Sequence, residues 1–262
     1  MYSNGLEYIV NGSYLNTSYS KISYFSKDVG DNYGFDRTTF PIVQSQYQIN
    51  HSANSHFKYN ESHPNYSTSY ILPHSFAPEI FLSPSRPKTR FVDDGIEIMR
   101  FVNEAFELMT GKKLPENILI NILPFGEFKA LHSIFGSWSN GILGFSVNGN
   151  KKIFVRENHL DELLLVIGHE IGHVLTETLP NKHDEEAKAF AFSIEWANTI
   201  RKHDIAGLGI NIREEIDFKP ARNGLHDVAF AFVDLMVKKG RKAMELHSDL
   251  AKRYVSVFGK VY

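Results

Sequence analysis

The sequence predicts an α+β fold, with a small mixed sheet near the middle of the chain and a mostly helical C-terminal half. Three observations carry that expectation. Two β-type runs, 141–147 and 152–156, flank Asn148-Gly149, and this arrangement is the strongest short-range hairpin signal a sequence offers. Ahead of them, Ile118 to Leu123 reads as a buried strand. Behind them, Leu163, Leu164, Leu165, Val166 and Ile167 make the run from Leu160 apolar almost all round, as in a helix buried on most sides.

In chain order, the texture changes near residue 85. Ten of the twelve tyrosines lie in residues 1–85, among many Ser and Asn and few charges. That segment shows neither a helical nor an alternating pattern, so a weakly ordered extension hugging the following domain is expected. Its end, 73–87, is punctuated by Pro and reads as a linker. The domain proper is expected over 86–262. Within it, 91–109 places Ile96, Met99, Phe101, Val102, Phe106 and Met109 at helical spacing, and Gly111 follows as a C-cap. Asn158 is placed to cap the apolar helix, which runs to about residue 178, with Asp161 as its acidic partner. A break at Leu179-Pro180-Asn181-Lys182 separates it from a helix over about 184–201, and a last helical block covers about 226–258.

Composition removes several classes of function. With 28 Lys+Arg against 30 Asp+Glu, the net charge is −2, and a general electrostatic grip on nucleic acid or an anionic membrane is not expected. The short basic run at Lys238–Lys242 reads as a solvated helix end. Mean hydropathy is −0.26, and no apolar run approaches the roughly 18 residues of a spanning helix. Met1-Tyr-Ser-Asn-Gly has no basic start and leads into no apolar core of a signal peptide, so a cytoplasmic protein is expected. Cysteine is absent, which excludes disulfides, thiolate ligands and a Cys nucleophile. Any metal must be held by His, Asp or Glu.

His169-Glu170-Ile171-Gly172-His173 meets that requirement. Histidines at i and i+4 of a helix share one face and can occupy two corners of a zinc tetrahedron. Glu170, next to the first of them, can reach a metal-bound water without being a ligand and act as its general base. With 12 His and 18 Glu in 262 residues, chance produces the pattern in about 4% of such chains. Here it sits inside the most apolar helix, where two histidines and a glutamate without a cation would leave costly unpaired groups. A metal-stabilised binding or regulatory module could use the same ligands, but it has no need of Glu170.

From the hairpin through His173 the chain resembles the zincin metallopeptidases. That resemblance implies one zinc ion, an endopeptidase acting on a protein or peptide, and an edge strand, 141–147 or 152–156, that aligns the substrate by β-addition. The metzincin signature is missing, since 174–179 offers neither the further His nor the Gly before it. Asp184-Glu185-Glu186-Ala187-Lys188-Ala189 instead is similar to the gluzincin Glu-x-x-Ala pattern, closest to the ImmA/IrrE-like small zincins. Two registers fit it, Asp184 with Ala187 and Glu186 with Ala189. At about 100° per residue, Asp184 shares a face with Lys188, Glu195 and Lys202, expected to be solvated. Glu186 lines up with Ala189, Phe190, Ser193 and Ala197, whose small members allow a close approach to the His169 helix. Glu186 is therefore the favoured third ligand, with Asp184 and Glu185 as alternatives and Asp184 equally suited to an N-cap. Two departures from the pattern are the short interval after His173 and Phe190 in place of a polar residue four after the ligand. Lower-ranked candidates are His183 as a ligand, and His226, His203, Arg222 and Tyr254 as transition-state donors. Phe230, Phe232 and Phe258 read as core.

Overall fold

The structure, a computed structural model, describes residues 5–10, 13–18, 76–216 and 224–259. Near the N-terminus, β1 (Gly5–Val10) and β2 (Ser13–Ser18) pair antiparallel, from Gly5↔Ser18 to Val10↔Ser13. In the sequence they flank Asn11-Gly12, within a segment expected to be weakly ordered. Residues 19–75 of the expected extension lie outside the described residues.

The stretch expected as a linker is part of the core. Phe76, Phe81 and Leu82 are 6%, 1% and 1% exposed, and a 3-10 turn at Pro78–Phe81 carries the chain between them. Leu82 bridges Ile212, and the amide of Ser83 donates to the carbonyl of Asn211 at 2.8 Å. Asp161 then ties this strap to the apolar helix. Its carboxylate accepts from Arg86 Nε at 2.8 Å, Thr89 Oγ1 at 2.7 Å and Asn211 Nδ2 at 3.1 Å. Burial alone would raise its pKa, but these donors outweigh burial and hold the carboxyl below its ordinary value.

Beyond the strap comes β3 (Phe91–Val92), then α1 (Gly95–Thr110), capped by Asp94, whose side chain accepts from the Ile96 amide at 2.9 Å. Gly111 closes it in the left-handed conformation, φ 69°, as expected. β4 (Leu119–Leu123) leads into α2 (Phe125–Phe135), a helix that none of the sequence signals announced. The expected hairpin then forms from β5 (Gly144–Val147) and β6 (Lys152–Arg156), through a 3-10 turn at Asn148–Asn150. Lys151 (φ 49°), not Gly149, takes the left-handed position. β6 is central in the order β4-β6-β5, parallel to β4 and antiparallel to β5, so the small sheet is mixed. Ile153 and Val155 face the main core. On the opposite face Phe145 and Phe154 stack at 5.1 Å, and Phe145 meets Phe128 of α2 at 5.5 Å.

Asn158 does not cap the next helix, because β7 (Asn158–His159) pairs with β3 and takes its backbone. His159 stands at the cap of α3 (Leu160–Val174), every residue of which is buried except Glu162. After the expected break comes α4 (Lys182–His203), capped by Asn181 rather than Asp184. The last helical block is divided into α5 (Gly224–Lys238) and α6 (Ala243–Ala251), with Gly240 at φ 92° between them. Phe230 is core, but Phe258 is 61% exposed. The chain is thus α+β, and no helix among the described residues is long and apolar enough to cross a membrane.

Burying Phe76, Phe81 and Leu82 contributes about 1.5–3 kcal/mol for each side chain. A chain begun at residue 86 is therefore expected to melt on the order of 10 °C below one begun at residue 76. Equal melting temperatures in a calorimetric comparison would show that the strap carries no core energy.

Candidate metal centre

α3 and α4 approach most closely where Gly172 faces Ala189. A Cβ on Gly172 would lie 2.9 Å from Cα of Ala189 and 2.9 Å from Cβ of Phe192, closer than real contacts allow. Glycine at 172 and alanine at 189 therefore set the helix separation, and the polar side chains one turn either way are brought together. Trp196 fastens the same crossing by donating from Nε1 to the carbonyl of Leu164 at 2.9 Å.

The three favoured ligands converge. Nε2 of His169 and Nε2 of His173 are 3.3 Å apart, and Oε2 of Glu186 lies 3.6 Å from the first and 3.8 Å from the second. A tetrahedral zinc with bonds of roughly 2.0–2.2 Å spaces its ligand atoms by roughly 3.3–3.6 Å. The separations fit that ion to within a few tenths of an ångström.

Hydrogen bonding assigns the same direction to the lone pairs. Nδ1 of His169 lies 3.1 Å from Oγ of Ser193, whose own proton goes to the carbonyl of Ala189 at 2.8 Å. The imidazole must therefore donate from Nδ1. Nδ1 of His173 likewise donates to Oε1 of Glu185 at 2.8 Å. In the neutral tautomers both Nε2 lone pairs then face each other at 3.3 Å, which is repulsive unless a cation or proton lies between. Oε2 of Glu186 is buried, and Nε2 of His226 lies 2.9 Å from it. This donor set fits a zinc ion.

A further set of polar residues supports the ligands. Glu185 accepts from the Leu179 amide at 2.7 Å and pairs with Lys188 at 2.9 Å. Lys188 also donates to the carbonyls of His173 and Glu177, at 3.2 and 3.0 Å. It is fully buried, contrary to the solvated face expected for it, because these three oxygens replace water. Phe76 stacks on the His169 ring, with centroids 4.2 Å apart and planes 17° from parallel.

Glu170 is 5% exposed and faces the edge strand β5. A Cβ at Gly144 would stand 3.2 Å from its Oε1. Burial pushes Glu170 up to about 7, against the pull of His173 and Ser146. The two histidines diverge. Burial takes His169 down to about 4 despite Glu186, whereas for His173 the carboxylates of Glu186 and Glu185 overcome burial and push it up to about 9. Burial opposes the charge of Glu186 too, but His226 and His173 hold it well below the ordinary carboxylate range.

The alternatives fall elsewhere. Glu185 supports His173 from behind, and Asp184 accepts from the Val257 amide at 2.7 Å and the Ser256 hydroxyl at 3.1 Å. His183 meets the ring of Phe258 at 4.7 Å, outside the ligand group. His203 and Tyr254 are exposed, and Arg222 lies outside the described residues. Of the lower-ranked candidates among the described residues, only His226 reaches the centre. Ser193, expected merely to be small, fills the polar role that Phe190 cannot. Its spacing of seven from Glu186, two turns along one face, is the signal that marks it.

Comparison with known proteins gives no match: no family model, curated protein or solved structure is detectably similar to the chain. The resemblance to zincins therefore rests on the residues themselves.

Gly172→Ala tests the crossing. Alanine gains about 1 kcal/mol in helix propensity, but overpacking against a backbone atom costs about 1–3 kcal/mol. The expected result is a lower melting temperature with zinc affinity reduced about tenfold or more. Unchanged affinity would separate the ligand geometry from the crossing.

Proposed function

We propose that the chain is a zinc-dependent metallopeptidase of zincin type, with His169, His173 and Glu186 holding one ion and Glu170 as general base. The observation that carries this reading is the meeting of three donor atoms at tetrahedral spacing, one residue along the helix from a buried acid. Zinc held there supplies a Lewis acid for a scissile carbonyl and lowers the pKa of its water to about 7.

The chain's own residues do the rest. Glu170 takes the proton of the attacking water and passes it to the leaving amine. Its raised pKa suits an acid that must both accept and return a proton near neutrality. Ser193 and Glu185 keep the two imidazoles in the tautomer that presents Nε2. β5 has no partner on its outer side among the described strands and runs beside Glu170, which supports it as the strand that an extended peptide joins by backbone hydrogen bonds. Of the two runs expected to fill that role, 152–156 is the central strand and is already paired on both sides.

Glu170→Gln separates chemistry from binding. It is expected to retain one zinc per chain and to lose peptide hydrolysis by about 10²–10⁴-fold, whereas His173→Ala loses the metal. Turnover by the Gln variant at the wild-type rate would refute the assignment.

A further inference from the structure

We propose that His226 is a positioning residue for the third ligand: its Nε2 edge pins Oε2 of Glu186 toward the two histidines and thereby sets the metal affinity. The inference rests on reading the centre as a zinc site, and it gives His226 a role other than transition-state donor.

His226 stands in the first turn of α5, 6% exposed, with Nε2 2.9 Å from Oε2 of Glu186. It lies outside the group whose donor atoms are all within 4.8 Å of one another, and its ring is perpendicular to that of His169 with centroids 6.4 Å apart. Its contact is thus with the ligand oxygen. An oxygen has two lone pairs, and a donor on one leaves the other for a cation.

The framework around the contact is built to hold it. Phe190 follows Glu186 by one turn on α4, and Phe230 follows His226 by one turn on α5. Those two rings meet edge to face at 5.1 Å and 82°. Glu186–His226 and Phe190–Phe230 are therefore two rungs joining the same pair of helices, with equal spacing along each. Phe190 also meets the His226 ring edge to face at 5.8 Å, so the imidazole cannot turn without disturbing the lower rung. Phe81 of the strap packs against Phe230 at 6.3 Å and backs the ladder. A transition-state donor aims its N–H at the substrate; the Nε2 of this ring is engaged with a carboxylate instead.

The test uses two polar variants of the full chain that differ only in reach. His226→Gln keeps an N–H near the position of Nε2, while His226→Asn places it a bond short. Zinc affinity is measured by competition with a chelator, and the visible spectrum is recorded after loading with cobalt(II). Melting curves in EDTA show that each variant is folded. His226→Asn is expected to bind zinc about 10–100-fold more weakly, with an altered cobalt spectrum, and His226→Gln to stay within about threefold of wild type with its spectrum intact. Wild-type affinity in both variants would overturn the inference, and would assign His226 to the transition state if turnover at saturating zinc fell. Equal weakening in both would also overturn it, by showing a merely structural role. A wild-type chain that binds no zinc would instead overturn the reading on which the inference rests.

Discussion

Contact between the backbones of α3 and α4 at Gly172 and Ala189 is the constraint on which the centre depends. Side chains on helices at ordinary separation would meet through their tips, and two histidines of one helix would be left facing an apolar wall. With no Cβ at 172, the backbone of α4 comes near enough for Glu186 to reach the Nε2 side of the imidazoles and for Ser193 and Glu185 to reach the Nδ1 side. Both nitrogens of each ring are thereby addressed from a single neighbouring helix. Residues adjacent in sequence divide the work: Glu185 and Glu186, about 100° apart around α4, straddle the ring of His173.

Burying so many polar groups is costly unless each is paired. Lys188 is the clearest case, an ammonium with no exposure whose charge opposes that of Glu185 and whose remaining protons go to two carbonyls, one in the last turn of α3 and one just beyond it. It fixes the turn after His173 to α4 and strengthens Glu185 as an acceptor. The sheet and the strap complete the enclosure from the other directions, through Gly144 and Ser146 beside Glu170 and Phe76 over His169. Both walls precede α3 in the chain and α4 follows it, and together they leave the helix buried nearly all round.

Local signals are reliable where the causes are local. The i, i+4 histidines, the Asn148-Gly149 hairpin, the Gly111 cap and the face of α4 that includes Glu186 are each set by neighbours within one or two turns, and they appear where expected. What was hidden depends on partners far along the chain. The 76–82 strap has Pro-rich linker chemistry, yet its two Phe and one Leu are claimed by a core whose members lie as far along the chain as Phe230, which packs against Phe81. Lys188 looks solvated on a helical wheel because the wheel shows no Glu177 or His173 carbonyl. α2 escaped notice since its burial is small and one-sided, against the aromatic face of the sheet. Asn158 has good capping chemistry but is spent in a two-residue strand pair.

X-ray absorption at the metal edge of the purified full chain tests the central claim most directly. The expected spectrum is that of one zinc per chain with two imidazole nitrogens and at least one carboxylate oxygen at about 2.0–2.2 Å. A protein that retains no metal after dialysis, or a spectrum without imidazole scattering, would contradict the account.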